Sequence, residues 1–86
     1  MEKKSVLLYP RVTEKTSRVI ETENKIVFVV SSNSTKEEIR REFERTYGQK
    51  VSKVNVVRTM KGLKIAHIKL TEAGKAADLA MRLKLL

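Results

Sequence analysis

Six basic side chains and no acidic one lie between Gln49 and Thr71: Lys50, Lys53, Arg58, Lys61, Lys64 and Lys69, with His67 among them. Ammonium and guanidinium groups at this density suit one kind of chemistry, the neutralisation of a polyanion with release of its condensed counterions. The rest of the chain is nearly balanced. Residues 1–34 hold six basic and four acidic side chains, residues 35–48 four of each, and residues 49–86 nine against two, so +7 of the net +9 lies in the last part. Charge confined to one element describes a binding surface, whereas the same charge spread evenly would describe only solubility. Lysines on an edge strand also resist aggregation, but that use does not require an acid-free run of 23 residues.

Bond-making chemistry has less to work with. His67 is the single histidine, and it sits beside lysines with no carboxylate close in sequence, the setting of a surface histidine rather than a general base. Glu37-Glu38 and the pair Glu42 and Glu44 fall on the outer face of a helical segment, where solvated charge accounts for them. Three scattered glycines cannot build a phosphate-cradling loop. The chain has no cysteine, which removes disulfides, thiolate metal sites and cysteine nucleophiles, and one histidine makes no metal-ligand cluster. The inventory points away from an enzyme, and no cofactor or metal is expected.

The same residues indicate what must hold the cations. Val54 and Val56 alternate with Lys53 and Asn55, and Ala66, Ile68 and Leu70 alternate with Ile65, His67 and Lys69, with Lys61-Gly62 between them. Period-two patterning on both sides of a glycine turn predicts a β-hairpin, Gly62 supplying the positive φ. Upstream, Val6 to Tyr9 is a short apolar run closed by Pro10, which reads as an edge strand. Thr13 suits an N-cap with Glu14 in the first turn of a short helix to about Glu21, turning Val19 and Ile20 inward. Glu23-Asn24-Lys25 is a polar turn into a continuous β-branched and aromatic run from Lys25 to Ser31, predicting a central strand covered on both faces.

After the loop from Ser31 to Thr35, Ser34 with Glu37 and Thr35 with Glu38 offer two overlapping capping boxes. The helix that follows, from about Lys36 to Tyr47, carries Ile39, Phe43 and Tyr47 as a narrow apolar stripe. Glu37 with Arg41 and Arg40 with Glu44 stand at helical spacing outside it, and Gly48 is its stop. A last helix between Thr71 and Leu86 aligns Ala76, Leu79, Ala80 and Leu83, with Gly74 delaying its start. The order β-α-β-α-β-β-α predicts an α+β fold with a single antiparallel sheet of three to four strands packed with helices, one domain over residues 1–86.

At 41% hydrophobic residues the chain can bury a small core. The run Val6-Leu7-Leu8-Tyr9 stops at Pro10, too short for a signal peptide, and no segment approaches the ~20 apolar residues a membrane span needs. A cytoplasmic protein without membrane insertion is expected.

Among polyanions, folded RNA fits the pattern. Lys53, Arg58, Lys61, Lys64 and Lys69 supply phosphate contacts, each steepening the log–log salt dependence by roughly 0.7–0.9. Asn55 and His67 add hydrogen bonds to ribose hydroxyls or base edges. The aromatics are two Phe and two Tyr, with Phe28, Phe43 and Tyr47 needed in the core, so a base-stacking platform is not expected. An adaptor whose basic strand meets acidic protein partners is the alternative. Steep salt dependence with preference for one RNA separates the two.

Five blocks of the chain resemble, in order and spacing, the ribosomal protein L23 family of the large subunit. They are Tyr9-Pro-Arg-Val-Thr-Glu-Lys-Thr16, Glu23-Asn-Lys-Ile-Val-Phe-Val-Val30, Thr35-Lys-Glu-Glu-Ile39, Val51-Ser-Lys-Val-Asn-Val56 and Lys64-Ile-Ala-His-Ile-Lys-Leu70. The resemblance spans about Val6 to Leu86. It implies an rRNA-binding ribosomal protein seated beside the polypeptide exit tunnel on domain III of the large rRNA, among neighbouring ribosomal proteins. It also implies part of the docking platform for nascent-chain factors: the signal recognition particle, the protein-conducting channel and, in bacteria, trigger factor. The resemblance adds Arg11, Lys15 and Lys25 to the RNA-contact set, and places the docking acid of the family's Thr-Glu-Lys block on Glu14, flanked by Val12 and Thr13. A small-subunit ribosomal protein of similar topology is a further alternative, which co-sedimentation with separated subunits would decide.

Two departures from the family pattern matter. Bacterial members carry a long hairpin extension into the tunnel, whereas Arg58 to Leu63 closes in a few residues, which looks like the archaeal form. The family's late signature begins with two basic residues, but here Lys64 is followed by Ile65. One phosphate contact is thereby replaced by an apolar side chain, available to pack against a neighbouring protein or the sugar edges of the RNA.

Overall fold

A computed structural model describes residues 6–84 of the chain. Its elements run β1 (Leu7–Pro10), α1 (Glu14–Thr22), β2 (Lys25–Val30), α2 (Lys36–Tyr47), β3 (Val51–Arg58), β4 (Lys64–Leu70) and α3 (Lys75–Arg82), the order the patterning predicts. The four strands form one antiparallel sheet in the order β1-β2-β4-β3. The continuous apolar run becomes β2 and lies inside the sheet, with Ile26 to Val30 all at most 2% exposed. The last helix is shorter than the sequence suggests: it ends at Arg82 with Leu83 as its C-terminal cap, and Lys84 follows at φ +59, while the last two residues lie outside the described ones.

Strand alternation divides β2 between two apolar clusters. Ile26, Phe28 and Val30 point to the main core, where they meet Val54 of β3, Ala66, Ile68 and Leu70 of β4, Ile39 and Phe43 of α2, and Ala76, Leu79 and Ala80 of α3. Phe28, Phe43 and Tyr47 form an aromatic triad with ring centroids 4.9 to 6.0 Å apart, which confirms that these three rings serve the core. Val27 and Val29 point to the other face, where Ile65 joins them and Val19 and Leu63 pack against the group. Helix α1 serves both clusters, sending Ile20 to the main core and Val19 to the smaller one.

The helix starts follow local chemistry. Thr13 caps α1 in a full capping box whose partner is Thr16: Thr13 N–H donates to Thr16 Oγ1 (2.7 Å) and Thr16 N–H to Thr13 Oγ1 (3.2 Å). Of the two boxes available to α2, the one on Thr35 and Glu38 forms. Ser34 lies one residue before the cap, where its backbone N–H and hydroxyl both donate to the Ser31 carbonyl. Gly48 ends α2 at φ +67, as a left-handed C-terminal residue should. The α2 pairs Glu37–Arg41 and Arg40–Glu44 form at 3.8 and 3.7 Å, and Glu42–Arg45 adds a third at 2.6 Å.

The expectation that Glu44 is solvated charge is corrected by its half-buried carboxylate, which accepts the Val51 N–H at 2.9 Å and ties the end of α2 to the start of β3. A buried amide left without its acceptor is destabilising. Glu44→Ala is therefore expected to lower unfolding stability in urea by about 1–2 kcal/mol, whereas Glu37→Ala on the exposed face should change it by less than about 0.5 kcal/mol.

Candidate nucleic-acid interface

Side chains directly opposite across antiparallel strands share a face, so the strand register gives the composition of the sheet surface away from the main core. Three rows cross it. Lys25 pairs with Lys69, and Lys69 with Lys53. Val27 pairs with His67, and His67 with Asn55. Val29 pairs with Ile65, and Ile65 with Val57, while Tyr9 stands against Val29 from β1. The Arg11 N–H donates to the Val27 carbonyl at 2.9 Å, which extends the β1 pairing and brings Arg11 beside the second row.

The first row places three lysines side by side across three strands. Like charges directly opposite in a sheet are destabilising, and little in the protein relieves them. Lys25 pairs with Glu23 at 3.1 Å. Among the described residues, no carboxylate pairs with Lys53 or Lys69. A row of phosphates would turn this repulsion into attraction, and Asn55 stands one position away as a hydrogen-bonding group.

The second row leads into a shallow groove. Val27, Ile65 and His67 of the sheet line it, together with Arg11 and the first turn of α1, with Thr13, Glu14, Lys15 and Thr16. Segments distant in the chain, the Arg11–Lys15 stretch and the β4 strand, therefore meet at one place. His67 is half-buried there, and desolvation lowers its pKa below the ordinary 6.5; the Lys25 charge acts in the same direction and Glu23 opposes it. The neutral imidazole thus prevails at neutral pH, and folding disfavours its protonation. Because the unfolded chain binds this proton more readily, the contribution of His67 to stability is complete above 6.5 and is lost as pH falls through the lowered folded-state value. Relative to His67→Gln, the wild-type chain is expected to lose stability in urea melts between about pH 7 and pH 5; a constant difference across that range contradicts the assignment.

The structure does not bring all the sequence-derived residues together. Lys25, Lys53, Asn55, His67 and Lys69 share the sheet face, and Arg11 and Lys15 join them at the groove. Arg58 and Lys64 pair with each other at the hairpin end on the opposite face. There Arg58 Nη2 donates to the Ser32 carbonyl at 3.3 Å and Lys64 Nζ to the Ser34 carbonyl, so both brace the β2–α2 loop. Lys61 is exposed on the hairpin loop. Five residues separate β3 from β4, and Thr59 closes this loop through its N–H to the Leu63 carbonyl and its hydroxyl to the Leu63 N–H, with Gly62 at φ +82.

Val12 and Glu14 are exposed beside the groove, while the Thr13 hydroxyl is occupied by the α1 cap. Ile65 corrects an expectation. It does not project outward as a free apolar contact: at 6% exposure it packs with Val27 and Val29 and shows only at the floor of the groove. Tyr9, by contrast, was missed: it is 51% exposed on the same face as the lysine row. Its spacing of two from Arg11 was the available signal, since alternate residues of an extended strand share a face.

Comparison with known proteins identifies the family. The family profile described as Ribosomal protein L23 matches residues 5–79. The protein named Large ribosomal subunit protein uL23 from Methanothermobacter thermautotrophicus is 42% identical over 83 residues, covering 96% of each chain. The protein of the same name from Methanobrevibacter smithii is 41% identical with the same coverage. That from Pyrobaculum aerophilum is 47% identical over 75 residues, covering 87% of this chain and 93% of the relative. Matched over nearly its whole length by the profile and by archaeal relatives, this chain belongs to the ribosomal protein L23 family.

Proposed function

We propose that this protein is a structural constituent of the large ribosomal subunit and binds large-subunit rRNA, in the domain III region beside the polypeptide exit tunnel, through the face that carries Lys25, Lys53 and Lys69. The observation that carries this reading is the row of three lysines in cross-strand register, two of them without an acidic partner among the described residues. The names of the archaeal relatives support the subunit. The lysine row supplies sequence-independent phosphate affinity, and Asn55, His67, Arg11 and Lys15 supply contacts that depend on RNA shape. The short hairpin loop keeps Lys61 near the body of the domain, so a reach into the tunnel is not part of the proposed role.

Filter binding to large-subunit rRNA fragments across a salt series tests the reading. Steep salt dependence with preference for one large-subunit fragment is expected; equal, weak binding to every RNA would sink it. The exposed Val12 and Glu14, beside Thr13, form the proposed docking contact for factors that meet the emerging chain, such as the signal recognition particle and the protein-conducting channel. Glu14→Lys is expected to weaken recruitment of the signal recognition particle to ribosomes by about tenfold, the order that reversing a charge at a contact gives, while the protein still co-sediments with the large subunit. Unchanged recruitment contradicts the docking role.

A further inference from the structure

Resting on the RNA-binding reading, we infer that the groove between the first turn of α1 and the β2–β4 pair seats one unpaired nucleotide of the RNA, its base lying between His67 and Arg11. The phosphate row alone explains affinity for any helix; the groove beside it has a different chemistry. Its floor beside His67 is apolar, with Val27 and Ile65 packed together at 2% and 6% exposure. Its walls carry two of the groups on which unstacked RNA bases stack, an imidazole and a guanidinium. The imidazole is held in its neutral form by partial burial, with Lys25 adding to the effect, so it presents a π-face and a hydrogen-bonding edge rather than a second hydrated charge.

Charge complementarity sets the orientation. Lys25 and Lys69 occupy the row next to His67 on one side of the groove, and Lys15 lies on the α1 wall. Glu14 is the acid among the lining residues and is exposed on that same wall, where it disfavours a phosphate. The phosphates therefore lie toward Lys25 and Lys69, and the base points into the groove. A continuous duplex cannot make this contact, because its bases are stacked and paired. A bulged or looped-out nucleotide can, and the site thereby distinguishes irregular RNA from a regular helix of equal charge.

The test uses the full chain with labelled Val and Ile methyl groups, titrated with a short fully paired RNA hairpin and with four hairpins identical except for one bulged A, C, G or U. The bulged hairpins are expected to bind about tenfold tighter than the paired one, to shift the Val27 and Ile65 methyl resonances by ring currents, and to lose that advantage in His67→Ala. Circular dichroism and the unperturbed Phe43 and Ile39 region would show that the variant is folded. Equal affinity for paired and bulged hairpins, with no shift at Val27 or Ile65, overturns the groove assignment and leaves the phosphate row standing. Salt-insensitive or absent binding to all five hairpins overturns the phosphate reading together with the inference built on it.

Discussion

Replacing Lys25, Lys53 and Lys69 together by glutamine is expected to weaken binding to large-subunit rRNA by about 100- to 500-fold at 0.1 M salt, and to flatten the log–log salt dependence by about 2–3 units. The figure follows from three lost phosphate contacts at roughly 0.7–0.9 each. The effect on the free protein should be of the opposite sign. Lys69 faces Lys25 on one side and Lys53 on the other, so removing the charges relieves cross-strand repulsion. The triple variant is therefore expected to unfold at the same or higher urea concentration than the parent while failing to bind. A merely structural role for these lysines predicts the reverse, a loss of stability with RNA affinity intact. Neutralising Arg41 and Arg45 on α2, which are paired with Glu37 and Glu42, should leave the salt slope unchanged.

Asn24→Ala is expected to lower stability by about 2–4 kcal/mol in urea unfolding. Asn24 sits in the turn between α1 and β2 at φ +55, in the left-handed region. From there its side-chain amide donates to the Leu70 carbonyl at 3.1 Å and the Glu72 carbonyl at 2.7 Å, and its Oδ1 accepts the Ala76 N–H at 2.9 Å. The last bond has a specific purpose. The N-cap position of α3 is Gly74, which has no side chain to offer, so the first turn of α3 takes its capping oxygen from Asn24, a residue distant in the chain but adjacent in the fold. One residue thus joins the α1–β2 turn, the end of β4 and the start of α3. Alanine removes the cap and both donors, and adds strain of about 1 kcal/mol at positive φ. Asn24→Gly keeps the backbone free and is expected to recover about 1 kcal/mol of the loss. Equal stability of the alanine variant and the parent would contradict this account of how α3 is held.

These two predictions differ in how far the sequence foreshadows them. Period-two alternation marks the two hairpin strands, apolar runs mark the other two, and caps mark the starts of α1 and α2, because all are set by neighbours within a few residues. Thr13, Thr35, Gly48 and Gly74 accordingly stand where local chemistry puts them. Both Thr35 and Ser34 fit the capping pattern, and the pattern alone does not encode that Thr35 takes the cap while Ser34 joins the preceding turn through Ser31. The sheet order β1-β2-β4-β3 is a matter of long-range pairing, and alternation shows only that a residue faces one side, not which strand lies beside it. The acid-free hairpin was therefore legible as a charged element, but the row it forms with Lys25 was not, since Lys25 lies on the other side of α2 in the chain.

Long-range register and burial also account for the residues that shifted role. Ile65 alternates in phase with His67 and Lys69, which suggests exposure, yet its cross-strand neighbour Val29 and the covering Leu63 and Val19 enclose it. Arg58 and Lys64 belong to the acid-free run by sequence, and antiparallel register turns them to the opposite face from Lys53 and Lys69. Asn24 looked like one polar residue in a turn, and its three partners lie at Leu70, Glu72 and Ala76. Of the residues the family resemblance adds, Lys25 lies in the lysine row, and Arg11 and Lys15 line the groove beside it.

Site-specific crosslinking on assembled ribosomes tests the central claim most directly. A photoreactive residue placed at Lys53 or Asn55 probes the sheet face, and one placed at Glu37 or Arg41 probes the outer side of α2, in otherwise identical tagged chains. The sheet-face positions are predicted to crosslink to large-subunit rRNA, at sites clustered in domain III, and the α2 positions to give no rRNA crosslink. Crosslinks to rRNA from Glu37 and Arg41, with none from Lys53 and Asn55, would contradict the account.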